Sequence, residues 1–291
     1  MSGWLWWVAL AAVWWVVRDA IGRREERRVN AKYERDADGI IKGAHPIRHV
    51  GPRAGAVLLL HGYNDSPQAV ATLAATLHAR GWSVRAPLLP GHGRTLQAFA
   101  ASGARAWMDA ARQEFAALRA THDEVAVGGL SMGGAMALVL AGEHPEIRAV
   151  VAFAPYLHVS RPVRALELAA PVAALGARYV WGGAKRSVHD RAAAARMIAY
   201  GRSTPRLLAQ LDRIVRLAHA TLPRVVQPVL VIQSREDNRI PVKSAEEAFA
   251  KVGAADKTLH WTTGNGHVVT VDYGHEALER LAADWLETRL A

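Results

Sequence analysis

The chain has no cysteine, which excludes a disulfide staple, a thiolate metal site, an iron–sulfur cluster and a thiol nucleophile. It is also short of acid: 36 Lys and Arg stand against 26 Asp and Glu, a formal net charge of +10 and a sequence pI near 10.4. That balance admits nucleic acid, an anionic membrane surface or an acidic substrate. Neither an internal repeat nor a low-complexity tract is present. With 51% hydrophobic and 21% charged residues, the chain is neither disordered nor collagen-like. Its 291 residues suffice for one large domain or two small ones with a sizeable core.

What is present is distributed unevenly. Five of the ten tryptophans fall in the first fifteen positions, at Trp4, Trp6, Trp7, Trp14 and Trp15, and no charged side chain occurs from Met1 to Val17. A spanning helix needs about 20 apolar residues; this run is at the short end, with Arg18 placed to snorkel to the interface. Residues 1–22 are therefore expected to form a membrane anchor, spanning the bilayer or lying in its interface. The basic cluster Arg23, Arg24, Arg27 and Arg28 follows the apolar run rather than preceding it. A cleaved signal peptide has the opposite order, and the positive flank places the remaining chain on the cytoplasmic side. Residues 23–44 read as a polar linker.

Beyond the linker, short apolar runs alternate with helical stretches. Strands are expected at Val57–Leu60, Trp82–Leu89, Glu124–Gly129, Ala149–Phe153, Pro228–Gln233 and Lys257–Thr262. Helices are expected from Ser66-Pro67 to Arg80, over about 104–120, from the end of the third strand to about Gly142, and over about 276–290. A capping box of Ser244 and Glu247 opens another helix between the last two strands. This pattern predicts an α/β class with a mostly parallel sheet flanked by helices. Residues 160–224 break the alternation with three helical stretches, opening near Pro162, at Ser187-x-x-Asp190 and at Thr204-Pro205, and no convincing strand. This block holds twelve Arg and Lys against three acids, a balance of +9. It reads as a basic helical cap inserted in a core of residues 45–159 and 225–291. It lacks any groove-reading motif or aromatic-basic interleaving, so nucleic acid is not an expected partner.

Gly129-Leu130-Ser131-Met132-Gly133 stands between a strand and a helix. Such a strand-to-helix turn holds a serine in a strained conformation above the strand ends, and glycines two residues to either side avoid a Cβ clash. A serine nucleophile needs a base, and the base needs an orienting carboxylate, here in chain order Ser, acid, His. Asp237 lies just past the fifth strand, where a carboxylate can face the site edge; its neighbour Glu236 is the competitor. His267, in the Gly-rich loop after the sixth strand, is the base. His260 within that strand reads as structural, and His275 at the start of the last helix as solvated. The oxyanion donors are the N–H of Met132 and, from the loop after the first apolar strand, the N–H of Tyr63. His61 and His92 read as loop anchors.

Leu60-His61-Gly62-Tyr63, Leu89-Pro90-Gly91-His92-Gly93, Gly129-Leu130-Ser131-Met132-Gly133-Gly134, Ser234-x-x-Asp237-x-x-Ile240-Pro241 and Gly266-His267-Val268-Val269-Thr270 occur in that order. Together they resemble the α/β-hydrolase superfamily, and within it the bacterial carboxylesterases and monoacylglycerol lipases. The resemblance covers residues 45–290. It implies an α/β-hydrolase fold and a serine esterase acting through an acyl-enzyme on acyl glycerol-like or other lipophilic monoesters, without metal or organic cofactor. Acyl transfer or amide cleavage on the same triad, and an inactive binding scaffold, are the alternatives. Tyr63 departs from the Phe common in that branch, and the N-terminal segment is not a usual part of it. Leu166, Leu168, Tyr179, Trp181 and Met197 are candidates to line the pocket or to form the cap's own core, and the cap's basic surface is either a second membrane contact or a solvated face.

Overall fold

A computed structural model describes residues 4–160, 164–165, 176–181 and 187–290. A long helix, α1 (Trp4–Asn30), leads to strands β1 (Ile47–His49) and β2 (Gly55–Leu60), helix α2 (Ala71–Ala79) and strand β3 (Ser83–Ala86). Helices α3 (Leu96–Ala101) and α4 (Ala104–Arg119), strand β4 (Glu124–Leu130), helix α5 (Met132–Glu143) and strand β5 (Val150–Phe153) follow. The insertion contributes β6 (Val180–Trp181), α6 (Arg191–Arg196), β7 (Arg202–Ser203) and α7 (Pro205–Thr221). The chain closes with β8 (Val229–Ser234), α8 (Val242–Ala250), β9 (Lys257–Thr262) and α9 (His275–Glu287).

Seven strands form one sheet in the order β1-β3-β2-β4-β5-β8-β9, parallel throughout except for the β1–β3 pair. The apolar run of β2 shows why the sheet is covered on both faces. Ala56, Leu58 and Leu60 join the layer that holds Trp107 of α4, Met136 of α5 and Leu211 of α7. Val57 and Leu59 join the opposite layer, with Leu73 of α2 and Leu278 of α9. A period-2 side-chain alternation on a strand apolar at every position requires this arrangement. The expected α/β class with its mostly parallel sheet is the observed one.

Several local expectations are corrected. The antiparallel edge strand β1 and the short helix α3 were not anticipated. Helix α8 starts at Val242 after Pro241, so Ser244 falls inside the first turn and is not a cap. Asp190 rather than Ser187 caps α6, its carboxylate accepting the N–H groups of Ala192 and Ala193 at 2.8 and 3.1 Å. Thr204-Pro205 behaves as expected: Thr204 Oγ1 accepts the Leu207 N–H at 3.0 Å and Pro205 opens α7. The insertion also contains a strand pair, β6 antiparallel to β7. Of the helix expected near Pro162 only residues 164–165 are described, both helical, and the candidate lining residues Leu166 and Leu168 lie outside the described residues.

The largest correction concerns residues 23–44, which do not form a linker. Helix α1 runs on to Asn30, and Val29, Ile41 and Ala44 are buried in the core. Several polar groups of the segment pair with distant parts of the chain. Glu26, only 5% exposed, accepts from Gln97 Nε2 at 2.9 Å and from the Tyr179 hydroxyl at 2.6 Å, and pairs with Arg178 at 3.0 Å. The Leu96 N–H donates to Asn30 Oδ1 at 2.9 Å, and the Tyr33 hydroxyl donates to the Ala199 carbonyl at 2.8 Å. The first half of α1 is different: Trp4, Trp6, Trp7, Trp14 and Trp15 are all exposed, and the helix is long and apolar enough to cross a membrane.

Candidate active site

The turn from β4 into α5 packs so tightly that side chains are excluded around Ser131. A Cβ on Gly129 would lie 2.5 Å from the Leu60 carbonyl oxygen, and one on Gly133 2.0 Å from it. With the helix start pressed on β2, Ser131 adopts φ 55°, ψ −116°, a region non-glycine residues seldom enter. Its backbone is tied on both sides: its N–H donates to the Phe153 carbonyl at 2.8 Å, and its carbonyl accepts from Ala135 and Tyr156 at 3.0 and 2.9 Å.

The three expected catalytic side chains come together from three separate parts of the chain. His267 Nε2 is 2.8 Å from Ser131 Oγ, and His267 Nδ1 is 2.7 Å from Asp237 Oδ2. Asp237 is held by the turn that follows β8: its Oδ1 accepts the N–H groups of Arg239 and Ile240 at 2.7 and 3.0 Å, and its Oδ2 accepts from Gln233 Nε2 at 2.7 Å. Burial alone would push this carboxyl up. The His267 imidazole and the two backbone N–H groups outweigh burial and hold it below the usual carboxylate range. Glu236 turns the other way, accepting the Gly264 N–H at 2.7 Å.

The loop after β2 closes the site from the opposite side. A Cβ on Gly62 would sit 3.6 Å from the Ser131 Cβ, so the backbone around Tyr63 passes beside the serine. Met132 is the first residue of α5, where N–H groups have no intrahelical partner. The loop anchors are as expected. Burial pushes the His61 imidazole down to about 4, and the neutral ring faces the Gly62 carbonyl through Nδ1 at 2.9 Å while Nε2 accepts the Leu89 N–H at 3.1 Å. His92 is buried against Phe99 and Trp107 and held well below its ordinary value by that burial and by His61. His260 lies in β9 as expected, whereas His275 is paired rather than solvated, with Nδ1 3.0 Å from Glu279.

Of the candidate lining residues in the described part of the cap, Tyr179 turns to Glu26 on α1, Trp181 is 77% exposed, and Met197 is buried with the α2–α9 layer. The Tyr63 hydroxyl is bonded to Ser203 Oγ on β7. The cap's positive charge is partly matched: Arg178 faces Asp19 and Glu26, Arg202 faces Glu25, and Arg164 and Arg216 face the buried Asp212.

One residue near the site carried no sequence signal. The buried Asp272 accepts four backbone N–H groups, from Gly266 at 2.7 Å, His189 and Asp190 at 2.8 Å, and Tyr273 at 2.9 Å. It ties the loop before His267 to the cap. Burial would raise its carboxyl, but the four donors hold it below the usual range. A group lowered in this way contributes stability above its unfolded pKa and loses it as pH falls through the folded value. Asp272→Asn is expected to destabilise the chain by about 2–4 kcal/mol at pH 7, because an amide cannot accept from all four donors. Urea unfolding should show the gap to wild type narrowing as pH falls below about 3.9; a gap unchanged at low pH would refute the charge argument.

The family described as Hydrolase_4, serine aminopeptidase S33, matches residues 51–273. The thermostable monoacylglycerol lipase of Bacillus sp. (strain H-257) is 28% identical over 240 residues, covering 80% of this chain and 90% of its own. The carboxylesterase of Bacillus subtilis (strain 168) is 24% identical over 233 residues, covering 80% and 92%. Among solved structures, one from a study of the metagenome-derived lipolytic enzymes LipS and LipT superposes with a TM-score of 0.78 at 29% identity, covering 86% of this chain and 99% of that one.

Proposed function

The chain belongs to the Hydrolase_4 family of serine aminopeptidases, S33, and from that premise we propose that it is a membrane-anchored serine hydrolase of lipophilic carboxylic esters. The observation that carries this reading is the relay Ser131–His267–Asp237, with links of 2.8 and 2.7 Å. In the proposed reaction Ser131 Oγ attacks the acyl carbon while His267 Nε2 takes its proton and Asp237 steadies the imidazolium. The N–H groups of Tyr63 and Met132 stabilise the tetrahedral oxyanion. Its collapse expels the alcohol, which takes the proton from His267. His267 then activates water, which releases the acid and regenerates Ser131. No step calls for a metal or organic cofactor.

The relatives named as a monoacylglycerol lipase and a carboxylesterase support an ester of an acyl chain with a small alcohol as substrate. The exposed tryptophan-rich half of α1 supports anchoring, and the arginines after it support a cytoplasmic catalytic domain. The test is turnover of p-nitrophenyl and glycerol esters of graded chain length beside aminoacyl p-nitroanilides, with fluorophosphonate labelling of wild type and Ser131→Ala. Ester turnover with labelling confined to wild type is expected. Faster turnover of the anilides would overturn the ester reading in favour of a peptidase, and an unlabelled wild type would mark an inactive scaffold.

A further inference from the structure

Strand β7 of the cap is fastened to two neighbours at once. On one side lies the loop after β2. Asn64 Nδ2 donates to the Arg202 carbonyl at 3.2 Å, the Tyr200 N–H donates to Asn64 Oδ1 at 2.9 Å, and the Tyr63 hydroxyl bonds Ser203 Oγ. On the other side lies α1: the Arg202 guanidinium pairs with Glu25. This ion pair is largely shielded, with side-chain exposures of 12% for Arg202 and 20% for Glu25. The guanidinium also lies over the Trp181 ring, 4.1 Å from its centroid. Glu25 is held in turn by Arg28, at 2.8 and 3.0 Å.

We propose that the C-terminal turns of α1 position the oxyanion loop through Arg202, so that the helix leading to the membrane is part of the scaffold of the active site. The proposal rests on the reading of the Tyr63 N–H as an oxyanion donor. Glu25 and Arg202 are positioning residues in it: neither touches the reacting atoms, and each acts through the backbone of β7.

Two features give the link physical content. Asn64 has φ 57° without being glycine, and a side chain in the left-handed region persists where its surroundings over-determine it. Both ends of its amide are held by the cap, and the residue before it, Tyr63, is held by Ser203. The loop beside Ser131 thus keeps its shape by leaning on β7. Strand β7 in turn belongs to an unpaired two-strand ribbon outside the main sheet, and such a ribbon is marginal without packing on something else. Helix α1 supplies that support, and it is itself fixed to the core by Glu26, Val29 and Asn30. A displacement of the donor by about 1 Å is costly for an oxyanion hole, where geometry sets the rate.

The test is a double-mutant cycle on the full-length chain in detergent: wild type, Glu25→Gln, Tyr63→Phe and the double variant, assayed on p-nitrophenyl butyrate. Tyr63→Phe keeps the backbone N–H and removes the link to Ser203. Glu25→Gln is expected to lower kcat about tenfold, a fraction of the roughly 10²–10³ that loss of a donor brings, with KM within about twofold. The double variant is expected to be no slower than the slower single variant, because both changes cut the same connection. Glu25→Asp, which keeps the charge, is expected to recover part of the loss. Multiplicative losses in the double variant, or a raised KM with kcat unchanged, would overturn the coupling. If the wild-type chain hydrolyses no ester, the proposed function fails instead, and the coupling is read from unfolding midpoints of the same four proteins. Non-additive shifts there retain it and additive shifts reject it.

Discussion

Replacing Ser131 with alanine is expected to lower kcat for ester hydrolysis by on the order of 10⁶, with the fold intact. The size follows from the proposed nucleophile: without Oγ no acyl-enzyme forms, and the oxyanion donors alone are left to act on a water reaction. The fold should survive because the turn is shaped by other residues. The close packing of Gly129 and Gly133 on Leu60, and the bonds of the Ser131 backbone to Phe153, Ala135 and Tyr156, all remain. His267→Ala is expected to do nearly the same damage, and the two together little more than either alone, because they act as one unit. Turnover of p-nitrophenyl butyrate, with thermal melting as the fold control, decides this. A Ser131→Ala protein that keeps more than about 1% of wild-type activity would remove Ser131 from the mechanism.

The second large effect is expected at Asp237. Asp237→Asn should cost up to about 10⁴ in kcat. The carboxylate now accepts from His267 Nδ1, which leaves Nε2 free to take the Ser131 proton. An amide turned with its NH₂ to the ring would reverse the tautomer and present a donor to Ser131. Glu236→Gln should stay near wild type, because Glu236 reaches the Gly264 N–H rather than the imidazole. Parallel kinetics of the two variants test the assignment. An inactive Glu236→Gln beside an active Asp237→Asn would reverse it.

The candidate site residues were legible in the sequence because each sits at a place where local pattern and chemistry coincide. Ser131 is bracketed by glycines between a strand and a helix, Asp237 lies just beyond a strand of continuous apolar residues, and His267 follows Gly264 and Gly266. The sheet was legible for the same reason, since runs such as Val57–Leu60 and Val229–Ile232 have no polar face to show water. What escaped detection has no local pattern. Asp272 is one acid among many until four N–H groups from three segments converge on it. The 23–44 segment reads as polar and free because its partners, Gln97, Tyr179 and Arg202, lie far along the chain. The aromatic cap residues read as pocket lining, yet Tyr179 faces a buried carboxylate that only tertiary contact brings near.

Under the proposed membrane anchoring, the continuity of α1 fixes how the folded body is carried on its anchor. A polar tether would let it wander and tumble over the membrane surface. A single helix of 27 residues is a stiff mast of about 40 Å, with a fixed length and a fixed rotational phase. Each residue added to or removed from it turns one end against the other by about 100° and shifts it by about 1.5 Å. In the proposed anchored arrangement, the spacing between the tryptophans near the N-terminus and the Glu25–Glu26 clamp sets both the height of Ser131 above the bilayer and the compass direction in which it faces.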